Sequence, residues 1–365
     1  MHKTKLLVSV GIISLLTACA SSPKNGTFAE RLMDRGDQAK SIAKKWDDGN
    51  SMVTKGEKMK TKGQKMIEDG KNQITKGERL IQDGDSLIEN GKKMYTELSD
   101  ETATFFNFML DNELMDLVAK KGKAGGGYCT YISGFKSPFI FSNFNGTSAD
   151  IDVLTHEVGH AFQVYMSRGF ETAEYYWPTS DGAEIHSMSM EYFAYPWMDN
   201  FFNGEADKYR YSHLVDSLLF LPYGVAVDEF QHGIYAHPEW TPIERKNFWS
   251  DLEKKYQPYK DYDGNKFLME GGFWQTQAHI YQSPFYYIDY TLAQICAFQF
   301  WLKARQDNKS AFKDYVKLCK AGGSKSFLEL VDYAGLRSPF QRETVSEIVD
   351  EINQYLSEVD DSRLN

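Results

Sequence analysis

Two histidines four residues apart, with a glutamate beside the first, carry the clearest chemistry in the chain: His156-Glu157-Val158-Gly159-His160. They stand in a run from Asp150 to Tyr165 that reads as a helix, and on a helix residues i and i+4 leave one face a turn apart. Both imidazoles can then hold one metal ion. Zinc in such a setting lowers the pKa of a bound water towards neutrality, and a carboxylate beside it, here Glu157, takes the proton to give a nucleophile for a peptide carbonyl. The chemistry implied is metal-assisted peptide hydrolysis. The competing reading is an amphipathic helix whose histidines are solvated and bind nothing, and a third ligand from another segment separates the two.

Glu184 is the best candidate for that ligand. It belongs to the run from Asp181 to Tyr192, where Glu184, Met188 and Glu191 recur at steps of four and three and share a helix face. Pro178 marks the connection, so two antiparallel ligand-bearing helices are expected. Glu191 is placed to hydrogen-bond a ligating histidine, orienting its ring and raising its basicity. His186 competes as ligand but leaves the same helix roughly 200° from Glu184. The plainer alternative makes Glu184 a carboxylate favoured by the helix dipole and leaves Glu191 solvated.

Three blocks together give the chain a specific likeness. They are Gly125-Gly-Gly-Tyr-Cys-Thr-Tyr131 with Pro138-Phe-Ile-Phe-Ser-Asn-Phe-Asn-Gly-Thr147, the histidine helix with Ala183-Glu-Ile-His-Ser-Met-Ser-Met-Glu191, and His279 followed by Pro284-Phe-Tyr-Tyr-Ile-Asp-Tyr290. From about Tyr95 to the C-terminus, roughly 270 of 365 residues, the sequence resembles the catalytic half of the M3 family of zinc peptidases, in its oligoendopeptidase F branch. The resemblance implies one zinc per chain on His156, His160 and Glu184, with Glu157 as general base and acid. It also implies that His279, Tyr287 and Tyr290 stand over the scissile bond, where donors to the developing oxyanion lower the barrier. Tyr287 and Tyr290 are one helical turn apart, while the register of the tyrosines is open by a residue and leaves Tyr286 in contention. A Tyr-rich stretch running into Thr291–Trp301 also reads as ordinary core with its hydroxyls at the edge.

The glycine-rich block reads as a turn entering a strand from Tyr128 to Ile132, with Ser137 to Ser142 as its hairpin partner. An exposed strand edge can hold an extended peptide through main-chain hydrogen bonds that ignore side-chain identity. By resemblance this hairpin is the substrate-binding edge, with Gly126, Gly127, Tyr128 and Asn143 as contact residues. A hairpin that merely covers the core is the alternative.

The N-terminal part is of a different kind. Residues before 100 contain three aromatics, Phe28, Trp46 and Tyr95, and the remainder contains fifty, so the chain looks composite. A basic start and an apolar run from Leu6 to Leu16 read as a secretory signal too short to span a membrane. Leu16-Thr-Ala-Cys19 resembles a lipobox, which implies cleavage before Cys19, lipid on its sulfur and amino group, and, with Ala20 and Ser21 following, an outer-membrane address. Between 46 and 95, Gly49, Gly56, Gly63, Gly70, Gly77, Gly84 and Gly91 recur every seven residues, usually with apolar residues three and four places later. That is a heptad stripe. Seven helical glycines weaken an isolated helix by roughly 6 kcal/mol against alanine, so a close helix partner at the seam is one expectation and a charged, partly disordered tether the other. The resulting division is a signal over 1–19, a stalk over 20–94 and a catalytic domain over 95–365.

A net charge of −10 argues against nucleic acid or anionic lipid as a ligand. Cys129, Cys296 and Cys319 suggest neither a disulfide framework nor a cysteine metal site. Free thiols suit the cytoplasm, which is the expected location if the N-terminal segment is not native to the catalytic half. Family members also carry an N-terminal helical half across a deep channel, a place taken here by the glycine heptads. The leading expectation is a metalloendopeptidase acting on short or unfolded peptides. An aminopeptidase requires an acidic anchor that no motif supplies, and an envelope lipoprotein with a vestigial peptidase half is the alternative. The expected fold is mainly α, a zincin-type helical domain with a small antiparallel sheet, preceded by a long helical or partly disordered stalk. Helical spacing over Ile243–Tyr256, Tyr290–Gln306 and Glu343–Leu356 supports it.

Overall fold

The computed structural model describes residues 37–360 and residue 364. The expected signal and the lipobox at Cys19 lie outside them. The described chain divides into two compact units, one ending at Arg79 and one beginning at Leu80. Helix α1 (Asp37–Leu98) contributes to both.

The heptads along α1 are helical, but six of the seven glycines, Gly49 to Gly77 in the first unit and Gly84 in the second, have nothing within 4 Å of where a Cβ would stand. The apolar positions beside them, including Met52, Met66, Ile67 and Ile74, are exposed. Among the described residues, then, the close partner expected at the glycine seam is met at Gly91 alone, where a Cβ would lie 3.3 Å from Phe106.

The second unit holds the rest. There α1 ends in buried Met94 and Tyr95, and the chain turns at Ser99, whose hydroxyl accepts from the Thr102 amide while Thr102 Oγ1 accepts from the Ser99 amide. This capping box satisfies two orphan donors and starts α2 (Asp100–Asp111). A three-stranded sheet follows, β1 (Met115–Val118), β2 (Tyr128–Ile132) and β3 (Ser137–Phe144), in the order β1-β3-β2. The expected β2–β3 hairpin is antiparallel, but β1 joins β3 in parallel, so the sheet is mixed. Four residues, Met115 to Val118, offer too short an alternation to announce a strand. Buried Ile140, Ser142 and Phe144 alternate along β3 and turn its inner face to the helices. At the edge of the sheet, β2 leaves one side unpaired among the described strands.

The longer helices that follow are α3 (Ala149–Ser167), α4 (Ser180–Phe193), α5 (Ala206–Ala236), α6 (Pro242–Tyr256), α7 (Tyr287–Ala321), α8 (Phe327–Tyr333) and α9 (Arg342–Ser357), with single helical turns at Asp199–Phe202 and His279–Gln282. All three long helices expected in the C-terminal half form; Asp307, at φ −151° and ψ 92°, breaks α7 just past the expected end at Gln306, and a second helical segment carrying buried Phe312, Tyr315 and Leu318 follows. The core gathers α3, α4 and α7 around Phe162, Phe193, Phe298 and Tyr315. A second cluster, centred on Phe230, Trp249 and Trp274, packs α5 against α6.

The open space around the first-unit glycines leads to an expected outcome. Replacing Gly56, Gly63 and Gly70 together by alanine stabilises this helix by about 1 kcal/mol per site, read as a higher midpoint in thermal melts followed at 222 nm. Gly91→Ala gains less, because Phe106 must move.

Candidate active site

Two helices bring the expected ligands together because one residue on α3 has no side chain. A Cβ on Gly159 would stand 2.6 Å from the His186 carbonyl oxygen and 2.7 Å from Ser187 Cα, so α3 and α4 meet backbone to backbone there. Glycine permits that approach; any larger residue drives the helices apart. His156 stands one turn before this contact on α3 and His160 directly after it, while Glu184 stands one turn before it on α4.

His156 Nε2 and His160 Nε2 each lie 3.3 Å from Glu184 Oε2. A tetrahedral ion with bonds of 2.0–2.1 Å sets its ligand atoms about 3.3 Å apart, so the donor set and its spacing fit a single metal. Among the described residues these three form the cluster able to hold one. Burial opposes a charge on Glu184, yet the two imidazoles beside it hold its carboxyl well below the usual range. Ser187 Oγ donates to Glu184 Oε2 at 2.8 Å and the Tyr286 hydroxyl donates to Oε1, so the carboxylate is braced on both oxygens. Glu191 Oε1 lies 2.7 Å from His156 Nδ1, as the shared helix face anticipated.

His186 stands elsewhere. It is fully buried, with Nδ1 2.8 Å from the Gly182 carbonyl oxygen, and burial drives its pKa down to about 4, which keeps the ring neutral. Its packing against Tyr315 makes it part of the core.

Glu157 sits on α3 between the two histidines, with 6 % of its surface exposed. Burial raises its pKa, against the pull of both histidines, and a backbone amide from Cys129 on β2 supports its carboxylate. Its Oε2 is buried with no hydrogen-bond partner among the described residues. The cleft around it, about 350 Å³, is lined by Gly127, Tyr128 and Cys129 of the edge strand region, by the ligands, by Trp177 and Pro178, and by Tyr286 and Tyr290.

The remaining expected residues surround this cleft unequally. Gly127 lies over α3, its missing Cβ 3.0 Å from Val153 and 3.6 Å from Glu157 Oε1, and Tyr128 stacks on Phe141 with half its surface exposed. Gly126 takes a φ of +99°, the turn that feeds the strand. Asn143 gives its amide hydrogens to the Ala124 and Gly126 carbonyls at 2.8 and 2.9 Å, which braces the glycine loop. Tyr290 reaches the cleft from α7, whereas neither Tyr287 nor His279 lines it; Tyr287 turns its ring towards Phe220 and Tyr223 and lies 5.1 Å from the His279 ring. His279 stacks on Tyr286 and is held by Gln277, whose amide lies 2.6 Å from His279 Nδ1, while the Tyr223 hydroxyl donates to Gln277 Oε1 at 2.8 Å. With Nδ1 accepting, His279 is a neutral imidazole carrying its proton on Nε2, and burial lowers its pKa in keeping.

Sequence reasoning passed over Gly159, Trp177, Gln277 and Tyr223. Gly159 had a signal, since a glycine inside a helical run calls for a packing reason; the others come from segments that no local pattern links to the histidines. Gly159→Ala is expected to cost 1–3 kcal/mol through overpacking and to weaken metal binding with it, because separation of the helices withdraws Glu184. Zinc titration beside a thermal melt of the metal-free protein checks both effects.

Comparison with known proteins places this geometry. The chain is 26% identical over 281 residues to Oligopeptidase PepF of Bacillus subtilis strain 168, across 73% of this chain and 41% of that one. It is 24% identical over 249 residues to the Oligoendopeptidase F homolog of Borreliella burgdorferi, across 65% of this chain and 41% of the homolog. A solved structure of PZ peptidase A with inhibitor 2 superposes with a TM-score of 0.74 at 64% identity, over 76% of this chain and 49% of that chain. This chain therefore spans about half the length of the relatives it matches or less. The profile of Peptidase family M3 matches residues 89–350, a stretch that contains the histidine pair, Glu184, Glu191 and the tyrosine block, and the chain belongs to that family.

Proposed function

We propose that this chain is a zinc metalloendopeptidase that hydrolyses internal bonds of short or unfolded peptides. The observation that carries the proposal is the meeting of His156 Nε2, His160 Nε2 and Glu184 Oε2 at tetrahedral spacing, with a buried, unpaired Glu157 oxygen beside them. His156, His160 and Glu184 would hold a zinc ion, which would supply Lewis acidity towards a water and the substrate carbonyl.

The chain's own groups do the rest. The unpaired edge of β2 receives the peptide as an added strand, a mode of binding that requires no free terminus and so favours internal bonds. Glu157 accepts the proton of the attacking water and returns it to the leaving amine. His279, with its Nε2–H, and Tyr290, on the cleft wall, are the donors proposed for the oxyanion, while Tyr286 is engaged with Glu184. Tyr287 is retained as the test of register, since the sequence placed it in this role.

For location we propose a lipid-anchored envelope protein, supported by the basic start, the apolar run and Leu16-Thr-Ala-Cys19 in the sequence. Among the described residues, no helix is long and apolar enough to cross a membrane. Cys19→Ala should shift the protein from the membrane fraction to the soluble one.

The activity is checked with internally quenched peptides blocked at both ends. Glu157→Gln keeps one zinc per chain and loses cleavage, whereas Glu184→Ala loses zinc; cleavage by the Gln variant at the wild-type rate contradicts the assignment. Tyr290→Phe lowers turnover by about 10²–10³ without releasing zinc. If Tyr287→Phe is the variant that falls and Tyr290→Phe is not, the oxyanion donor is Tyr287.

A further inference from the structure

The two imidazoles of the metal site are supported unequally. His160 Nδ1 is buried with no hydrogen-bond partner among the described residues. His156 Nδ1, by contrast, begins a chain of contacts that runs through three elements. Glu191 Oε1 on α4 lies 2.7 Å from it, and the other oxygen of the same carboxylate, Oε2, lies 2.8 Å from His213 Nε2 on α5. His213 Nδ1 in turn lies 2.6 Å from the hydroxyl of Tyr195, in the short turn that follows α4. Arg210, on α5, donates from Nε to the Tyr195 carbonyl at 3.0 Å, and Tyr192 and Tyr209 enclose the His213 ring at 5.3 and 5.7 Å between centroids.

Donor counting fixes the direction of this chain. An ionised carboxylate only accepts, so Glu191 requires hydrogens from His156 Nδ1 and from His213 Nε2. The first of these leaves the His156 Nε2 lone pair free towards Glu184 and His160, the form a metal needs. The second holds the carboxylate in the one orientation from which it can serve His156. Glu191 itself has 8 % of its surface exposed.

We infer that His213 is a positioning residue for the metal centre, acting through Glu191 on the tautomer and ring orientation of His156. The inference rests on the metal-site reading above. No helical spacing or motif ties His213 to the histidine pair; it joins them through the fold alone.

Zinc affinity of the full chain, measured by chelator competition, tests it without recourse to activity. His213→Asn keeps a polar group near Tyr195 but is too short to reach Glu191, and affinity is expected to fall about 10–100-fold. His213→Gln places an amide donor where Nε2 stood and should recover most of that loss. Combining His213→Asn with Glu191→Gln should cost no more than the worse single change, because both break one chain. Wild-type affinity in His213→Asn, or an equal fall in His213→Gln and His213→Asn, overturns the inference. His156→Ala serves as control: if it binds zinc like the wild type, the metal-site reading itself has failed rather than the role of His213.

Discussion

The structure depends on the contact between α3 and α4 at Gly159. A carboxylate can reach two imidazoles on a neighbouring helix only if the two backbones come within van der Waals distance, and here the space for even one methyl group is absent. Burying Glu184, His156 and His160 together carries a desolvation penalty that pairing in this geometry offsets. A metal at their centre adds the positive charge that makes such a cluster favourable, so packing and chemistry are satisfied by one arrangement.

Around this point the cleft is built from unlike parts. The edge strand brings Gly127 and Cys129 over Glu157, and the glycine there lets the backbone lie close to α3. The opposite wall comes from α7, whose first turn sends Tyr286 to the ligand Glu184 and Tyr290 to the cleft. A tyrosine, a glutamine and His279 then form a chain that leaves one imidazole N–H free. Each reactive group is therefore held by a neighbour that does not itself react, which is how a site keeps its geometry without a ligand to order it.

Much of this was legible in the sequence, for a physical reason. His156, Glu157 and His160 lie within one helical turn, and Glu184 and Glu191 share a face, so local periodicity alone places each set. The β2–β3 hairpin was readable from its glycines and alternation. Strand β1, at four residues, was not, and its parallel pairing to β3 is a long-range choice that no short pattern encodes. The tyrosine block showed the opposite difficulty. Neighbouring tyrosines at 286 and 287 are chemically alike, and only the rotation of α7 decides which ring meets the cleft. The heptads likewise forecast a helix but not its surroundings, since the glycine seam is occupied at Gly91 and open at the six glycines before it.

The central claim is that two imidazoles and one carboxylate converge on one zinc. X-ray absorption at the zinc K-edge of the metal-loaded protein tests it most directly. The account predicts one zinc per chain, nitrogen and oxygen neighbours at about 2.0–2.1 Å, and the outer-shell scattering of two imidazole rings. A sulfur neighbour at about 2.3 Å, which would bring in Cys129, or a zinc without imidazole scattering, would contradict it.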